Sequence, residues 1–145
     1  QNGAKVILAE DKSRFGGSLL TSEVTIGNQS GQEWAEKIIS ELKSMPNVIV
    51  KNRSQVFGYY DHNMIVMSER VSDHLPKTDK YTHKQRLWYI RAKEVVISSG
   101  SIERPLVFRN NDDTGVMISS AAKEYLRVCG VFFGKNPIIF KKNDF

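Results

Sequence analysis

The spacing of apolar and polar positions changes rhythm along the chain, and each change marks a different kind of element. Lys5-Val6-Ile7-Leu8-Ala9-Glu10 is a continuous apolar run closed by an acid. It alternates too little for a half-exposed strand and predicts a parallel strand covered on both faces. After a polar segment from Thr21 to Gly31, predicted to be flexible, the period becomes helical. Trp34, Ala35, Ile38, Ile39 and Leu42 share one face of a helix predicted from about Gln32 to Lys43, with Ser30 as its cap and Pro46 beyond its end. Val48-Ile49-Val50 then reads as a second short strand, so strand, helix and strand make one right-handed crossover unit.

The rhythm changes again from about residue 54 to 92. Gln55 to Tyr60, Met64 to Arg70 and Arg86 to Ala92 are rich in aromatic and branched residues, with Asp61-His62-Asn63 as a tight turn and Asp73 to Gln85, containing Pro76, as a polar loop. Their connections predict an antiparallel β-meander beside a parallel sheet, to which Lys93 to Ser98 would return the chain. A second helix is predicted from about Ser119 to Cys129, burying Ala122, Tyr125, Leu126 and Cys129 on one face and ending at Gly130. Pro137-Ile138-Ile139-Phe140 begins a further strand. The resulting expectation is an α/β fold: a Rossmann-like dinucleotide-binding domain over residues 1–134 with the meander inside it, truncated at both ends. Residues 135–145 would open a following strand or a second nucleotide-binding-like region.

Composition narrows the class. The chain has 145 residues, 40% hydrophobic and 26% charged, ordinary values for a folded globular domain. Its net charge of +5 is spread among 16 acids without a basic run, so nucleic acid is not the expected partner. The apolar runs fall far short of the roughly 20 residues a membrane-spanning helix needs. One cysteine permits no internal disulfide, consistent with a reducing, cytoplasmic location.

Candidate chemistry lies at three bends. An acid at the end of such a strand can accept hydrogen bonds from ribose hydroxyls and disfavours a 2′-phosphate, which makes Glu10, with Asp11 beside it, the candidate ribose ligand and favours NAD or FAD over NADP. Taken alone, Glu10 could equally close a surface strand. Gly16-Gly17, followed by Ser18, could let the backbone approach a pyrophosphate or adenosine, although an ordinary turn uses the same pair. Glu94-Val95-Val96-Ile97 leads into the compact turn Ser98-Ser99-Gly100, as where a buried strand stops against a nucleotide. Glu103-Arg104 fits either a local ion pair or an arginine reaching a phosphate. The glycine-rich turn that sets a pyrophosphate on a helix amino terminus is expected upstream, with residues 1–4 as the end of its helix.

Other residues favour plainer roles. His62, His74 and His83 lack metal-ligand spacing, and Cys129 reads as a small buried hydrophobe. The serines from 98 to 101 have neither a nucleophile-elbow pattern nor a base. Tyr59, Tyr60 and Trp88 read as packing residues.

Several multi-residue stretches carry a family resemblance: Val56-Phe57-Gly58-Tyr59-Tyr60-Asp61-His62-Asn63, Arg70-Val71-Ser72-Asp73-His74-Leu75-Pro76, Gln85-Arg86-Leu87-Trp88 and Gly100-Ser101-Ile102-Glu103-Arg104-Pro105-Leu106-Val107-Phe108. Asn110-Asn111-Asp112 and Gly115-Val116-Met117 continue it. In order and over nearly the whole chain, they resemble the alpha subunit of heterotetrameric sarcosine oxidase. The resemblance implies a piece of that subunit's NAD-binding region. It implies beta, gamma and delta subunits as partners, FAD in beta, FMN between alpha and beta, and oxidation of sarcosine to glycine with hydrogen peroxide and transfer of the methyl carbon to tetrahydrofolate.

Carried onto this chain, the resemblance makes Glu10 the ribose acid, Gly16 and Gly17 the paired glycines, Val56 the backbone contact to adenine and Ser98-Ser99-Gly100 the turn under the dinucleotide. That turn departs from the commoner Ala-Thr-Gly while keeping small side chains and a central hydroxyl. No catalytic residue is implied here, and Lys141-Lys142-Asn143-Asp144 carries no glycine fingerprint for a second nucleotide. A related amino-acid dehydrogenase subunit, for example one acting on proline, and a scaffold holding NAD structurally stay open as alternatives.

Overall fold

The computed structural model describes residues 3–79 and 81–140, so the expectations for residues 1–2 and 141–145 lie outside the described residues. Among the described residues the architecture is α/β, built from three small sheets and two α-helices. Strand β1 (Val6–Ala9) pairs in parallel with β4 (Val48–Lys51), in register from Val6 opposite Val48 to Ala9 opposite Lys51. The crossover between them is α1 (Gly31–Ser44). Ser30 starts it with a capping box. Its hydroxyl accepts the Glu33 N–H at 3.2 Å while the Glu33 carboxylate accepts the Ser30 N–H at 2.8 Å, which satisfies two otherwise orphaned donors. Ala35 is the most buried residue of its apolar face, and α1 packs on β4 through that face.

The segment from Thr21 to Gly31 is ordered by local bonding, contrary to the predicted flexible stretch. Gly17–Leu20 forms a 3₁₀ turn, and the Ser18 carbonyl accepts from both the backbone and the hydroxyls of Thr21 and Ser22. β2 (Thr25–Ile26) and β3 (Gln29–Ser30) close a short hairpin. Short polar side chains that bond their own backbone can order a segment without apolar burial.

The meander consists of β5 (Ser54–Tyr60), β6 (Met64–Arg70) and β7 (Gln85–Arg91), antiparallel with β6 in the centre and a bulge at Val56 to Gly58. Between β5 and β6, His62 and Asn63 take positive φ of 59° and 53°. A central strand has partners on both edges, and here it also supplies the core: Ile65, Val66 and Met67 are buried, Met67 to 1% exposure.

Three expectations require correction. Lys93 to Ser98 and Pro137 to Phe140 form no strand, and Val96, Ile97 and Ile138 are exposed. An extended apolar run becomes a strand only through a neighbour's hydrogen bonds, and none of the described residues supplies one. The second helix, α2 (Ser119–Val128), does form and Gly130 follows it at φ +66°, but Tyr125, Leu126 and Cys129 are exposed. Salt bridges hold α2, Lys12 to Glu124 at 2.7 Å and Arg127 to Glu23, and no apolar layer covers it among the described residues. The helix end expected over residues 1–4 falls partly outside the described residues; Gly3 has φ +71°, the conformation a glycine takes just past a helix. Among the described residues no helix is long and apolar enough to cross a membrane.

Candidate functional site

Glu10 leaves the carboxyl end of β1 where β1, β4 and β5 converge. Its N–H donates to the Lys51 carbonyl at 2.9 Å and its carbonyl accepts the Ser54 N–H at 2.8 Å, so its backbone is fixed on two sides. Its carboxylate turns back over the loop, where Oε1 accepts the Lys12 N–H at 3.0 Å. The residues after β4 clamp the rest of the loop. The Arg53 N–H donates to the Lys12 carbonyl at 3.0 Å and Asn52 Nδ2 to the Ser13 carbonyl at 2.8 Å. Arg70 Nη2 donates to the Asp11 carbonyl at 3.0 Å from the end of β6. Arg53 does this at φ +50°, a conformation costly for a side chain other than glycine and here maintained by bonds on both sides.

Beneath the clamp lies a partly buried charge cluster. Glu69 on β6 accepts from Lys51 Nζ at 2.9 Å, from Trp88 Nε1 at 2.8 Å and from Arg86 Nη1 at 3.4 Å. The Lys51 ammonium also lies 5.0 Å from the centre of the Trp88 ring. Burial would raise the Glu69 carboxyl, but the hydrogen bonds from Lys51 and Trp88 and the charges of Lys51 and Arg86 outweigh it and hold it below its ordinary range. Trp88 is therefore a packing and hydrogen-bonding residue that joins the meander to β4.

Gly16 and Gly17 have φ of +128° and +50°. A Cβ on Gly16 would lie 3.1 Å from Leu20 Cδ2, so its positive φ and the close return of Leu20 favour glycine here, with Ala35 of α1 at ordinary contact distance; a Cβ on Gly17 meets nothing within 4 Å. Ser18 follows at the mouth of an open cleft of about 460 Å³. Ser18, Thr21 and Ser22 line one side and Ser101 and Glu103 another, which brings the residue after the paired glycines and the residue after Ser98-Ser99-Gly100 to one space. Glu10, Ser98, Ser99 and Gly100 do not line this cleft. Residues 98–100 form no turn, contrary to the expectation, and are exposed with Gly100 at φ +73°; Val56 is half-exposed on β5 opposite Met67.

At the cleft's edge Glu103 caps α2. It accepts the Ser120 N–H at 2.7 Å and the Ser119 N–H and hydroxyl at 3.2 and 3.0 Å, and the Ser120 backbone bond foremost lowers its pKa to about 2. Glu103 thus serves the helix, and no ion pair joins it to Arg104 among the described residues. Sequence reasoning missed this cap because donor and acceptor lie 16 positions apart. It also missed the clamp of Asn52, Arg53 and Arg70 and the Lys51–Glu69 pair. The opposed Glu69 and Arg86 were the one available signal, legible from the meander's register.

No protein-family model matches the chain. It is 42% identical over 142 residues to sarcosine oxidase subunit alpha of Rhizobium meliloti (strain 1021). It is 34% and 33% identical over 146 residues to the proteins of that name from Corynebacterium sp. strains P-1 and U-96. These matches take in 98% to 99% of this chain but only 14% to 15% of each relative. Among solved structures, L-proline dehydrogenase from P. horikoshii superposes with a TM-score of 0.68 over 90% of this chain and 25% of its own, at 22% identity, a likeness of fold. Along almost its whole length the chain is similar in sequence to sarcosine oxidase alpha subunits, of which it spans about one seventh.

Proposed function

We propose that this segment forms the adenosine-holding part of an NAD site in the alpha subunit of a sarcosine oxidase, on a Rossmann-like framework completed by other parts of a longer polypeptide. The observation that carries the reading is the clamped loop after β1: Glu10 ends a parallel strand, and its backbone is bonded on both sides before its carboxylate emerges. In open α/β sheets the crevice at the carboxyl ends of strands receives the ligand, and an acid there accepts the ribose hydroxyls.

The residues fit that group. Glu10 Oε1 holds the Lys12 N–H, and its second oxygen has no protein donor among the described residues. Gly17 has open space where a Cβ would stand, and Ser18 and Ser101 flank a cleft of suitable scale. Asp11 would shape the loop, Val56 would offer its backbone to adenine, and Ser98, Ser99 and Gly100 would pass under the dinucleotide. The exposed edge of β1 and the unpaired run from 94 to 97 would receive the strand that leads into the glycine-rich turn.

When bound, NAD supplies a nicotinamide able to carry hydride; this chain's residues hold the other end of the molecule. In the assembly, with beta, gamma and delta subunits, FAD, FMN and tetrahydrofolate, sarcosine would be oxidised to glycine with hydrogen peroxide formed. The test is the dinucleotide released on denaturing the purified full-length subunit. We expect stoichiometric NAD, lost in Glu10→Ala with flavin content unchanged. An NAD-free wild type, or full retention in Glu10→Ala, would overturn the assignment.

A second reading has NAD as a structural element. Its support is that Glu103, the one carboxylate among the residues lining the cleft, is engaged in capping α2. Nicotinamide absorbance that stays constant while sarcosine is turned over would favour it, and reduction by substrate would exclude it. Activity of the assembly on proline in place of sarcosine would point to the dehydrogenase alternative.

A further inference from the structure

A second cleft, of about 300 Å³, opens beside the same loop. Its polar lining is Ser13, Arg14, Glu36, Ser40, Lys43 and Asn52: two cations, two hydroxyls, an amide and a single carboxylate. Such a set, without the carboxylate, suits a phosphate, since the cations supply charge and the hydroxyls and amide supply directed donors. The carboxylate takes up one of the two cations, Arg14, and leaves Lys43. Glu36 Oε1 accepts Arg14 Nη2 at 2.7 Å, and Gln32 Nε2 donates to the same oxygen at 3.1 Å, which holds Glu36 in place from one helical turn away. The loop's other cation is also engaged, Lys12 with Glu124 at 2.7 Å.

We propose that Glu36 is a specificity-determining residue that excludes NADP by occupying Arg14, the arginine of the loop that follows Glu10. The inference rests on the reading of Glu10 as the ribose ligand and deepens it. A 2′-phosphate displaced from Glu10 by charge repulsion would have the loop's following residues as its nearest neighbours, and an arginine at such a position is what accommodates that phosphate in dinucleotide sites. With Glu36 bonded to Arg14, the phosphate meets a neutral pair in place of a free guanidinium. Discrimination is then shared between a ribose acid and a masked arginine, so that loss of the mask alone shifts the preference.

The experiment titrates the full-length subunit, stripped of bound dinucleotide, with NAD and NADP. In Glu36→Gln we expect NADP affinity to rise on the order of tenfold while NAD affinity stays within about twofold, because only the phosphate gains a partner. Glu36 is exposed, so the substitution leaves the fold intact. Adding Arg14→Ala to Glu36→Gln should cancel the gain. Unchanged NADP affinity in Glu36→Gln, or a gain that survives Arg14→Ala, overturns the inference. Glu10→Gln is the arm that separates the two claims. A changed preference there with no response to Glu36→Gln defeats this inference alone, whereas a wild type that binds neither dinucleotide defeats the proposed site and this inference together.

Discussion

Glu69→Gln tests whether the charge cluster holds the meander against the crossover unit. The substitution keeps the side chain's volume and one carbonyl acceptor but removes the negative charge that Lys51 and Trp88 share at 2.9 and 2.8 Å. Hydrogen bonds to a charged group contribute about 1.5–3 kcal/mol each, and one of the two can be retained by the amide oxygen. The Lys51 side chain, 23% exposed, is left without its counter-ion, while solvent access moderates the penalty below that of a fully buried orphan charge.

The net loss is about 2 kcal/mol, or about thirtyfold in the local opening equilibrium. Hydrogen exchange by mass spectrometry on the full-length subunit would read it as faster exchange in β5 and β6, with distant segments unchanged. A change below about threefold would refute the argument that this cluster joins the two parts. The paired replacement Lys51→Met with Glu69→Leu removes both charges and should recover much of the loss. Because the folded Glu69 carboxyl lies below its ordinary value, the unfolded chain takes up the proton first. The contribution is complete above the ordinary carboxylate range and is lost as pH falls through and below it.

Other expectations follow from single features. Met67→Ala, at a position 1% exposed on the central strand, should cost about 3 kcal/mol by cavity formation, read as lowered protection throughout β6; a loss under about 1 kcal/mol would mean the site collapses around the smaller residue. Ser30→Ala removes the hydroxyl half of the capping box and should weaken the first turn of α1 by about 1 kcal/mol, measured by exchange at Glu33 and its neighbours. Glu103, with its folded pKa lowered from 4.5 to about 2, contributes fully above the higher value and loses its effect as pH falls toward the lower. Protection of the Ser119 and Ser120 amides should therefore decline across that window in wild type and be low and independent of pH in Glu103→Gln.

Elements whose cause is local can be read from the order of the residues alone. α1 was legible because its apolar face, its serine cap and the proline after it all act within a few residues. The meander was legible because alternation and turn residues specify strands and their order without reference to distant parts. The candidate acid and glycines were visible for the same reason: Glu10 ends an apolar run, and Gly16 and Gly17 take conformations that disfavour other residues.

What holds these elements in place comes from contacts between residues distant along the chain. The clamp on Glu10, the pairing of Glu36 with Arg14 and the capping of α2 by Glu103 join residues between 16 and 59 positions apart, and no spacing rule reaches across that distance. The runs at 94–97 and 137–140 and the apolar face of α2 mark the opposite limit. Their composition satisfies the requirements of buried elements, but burial and pairing are properties of a neighbour, and pattern alone says nothing of where that neighbour lies.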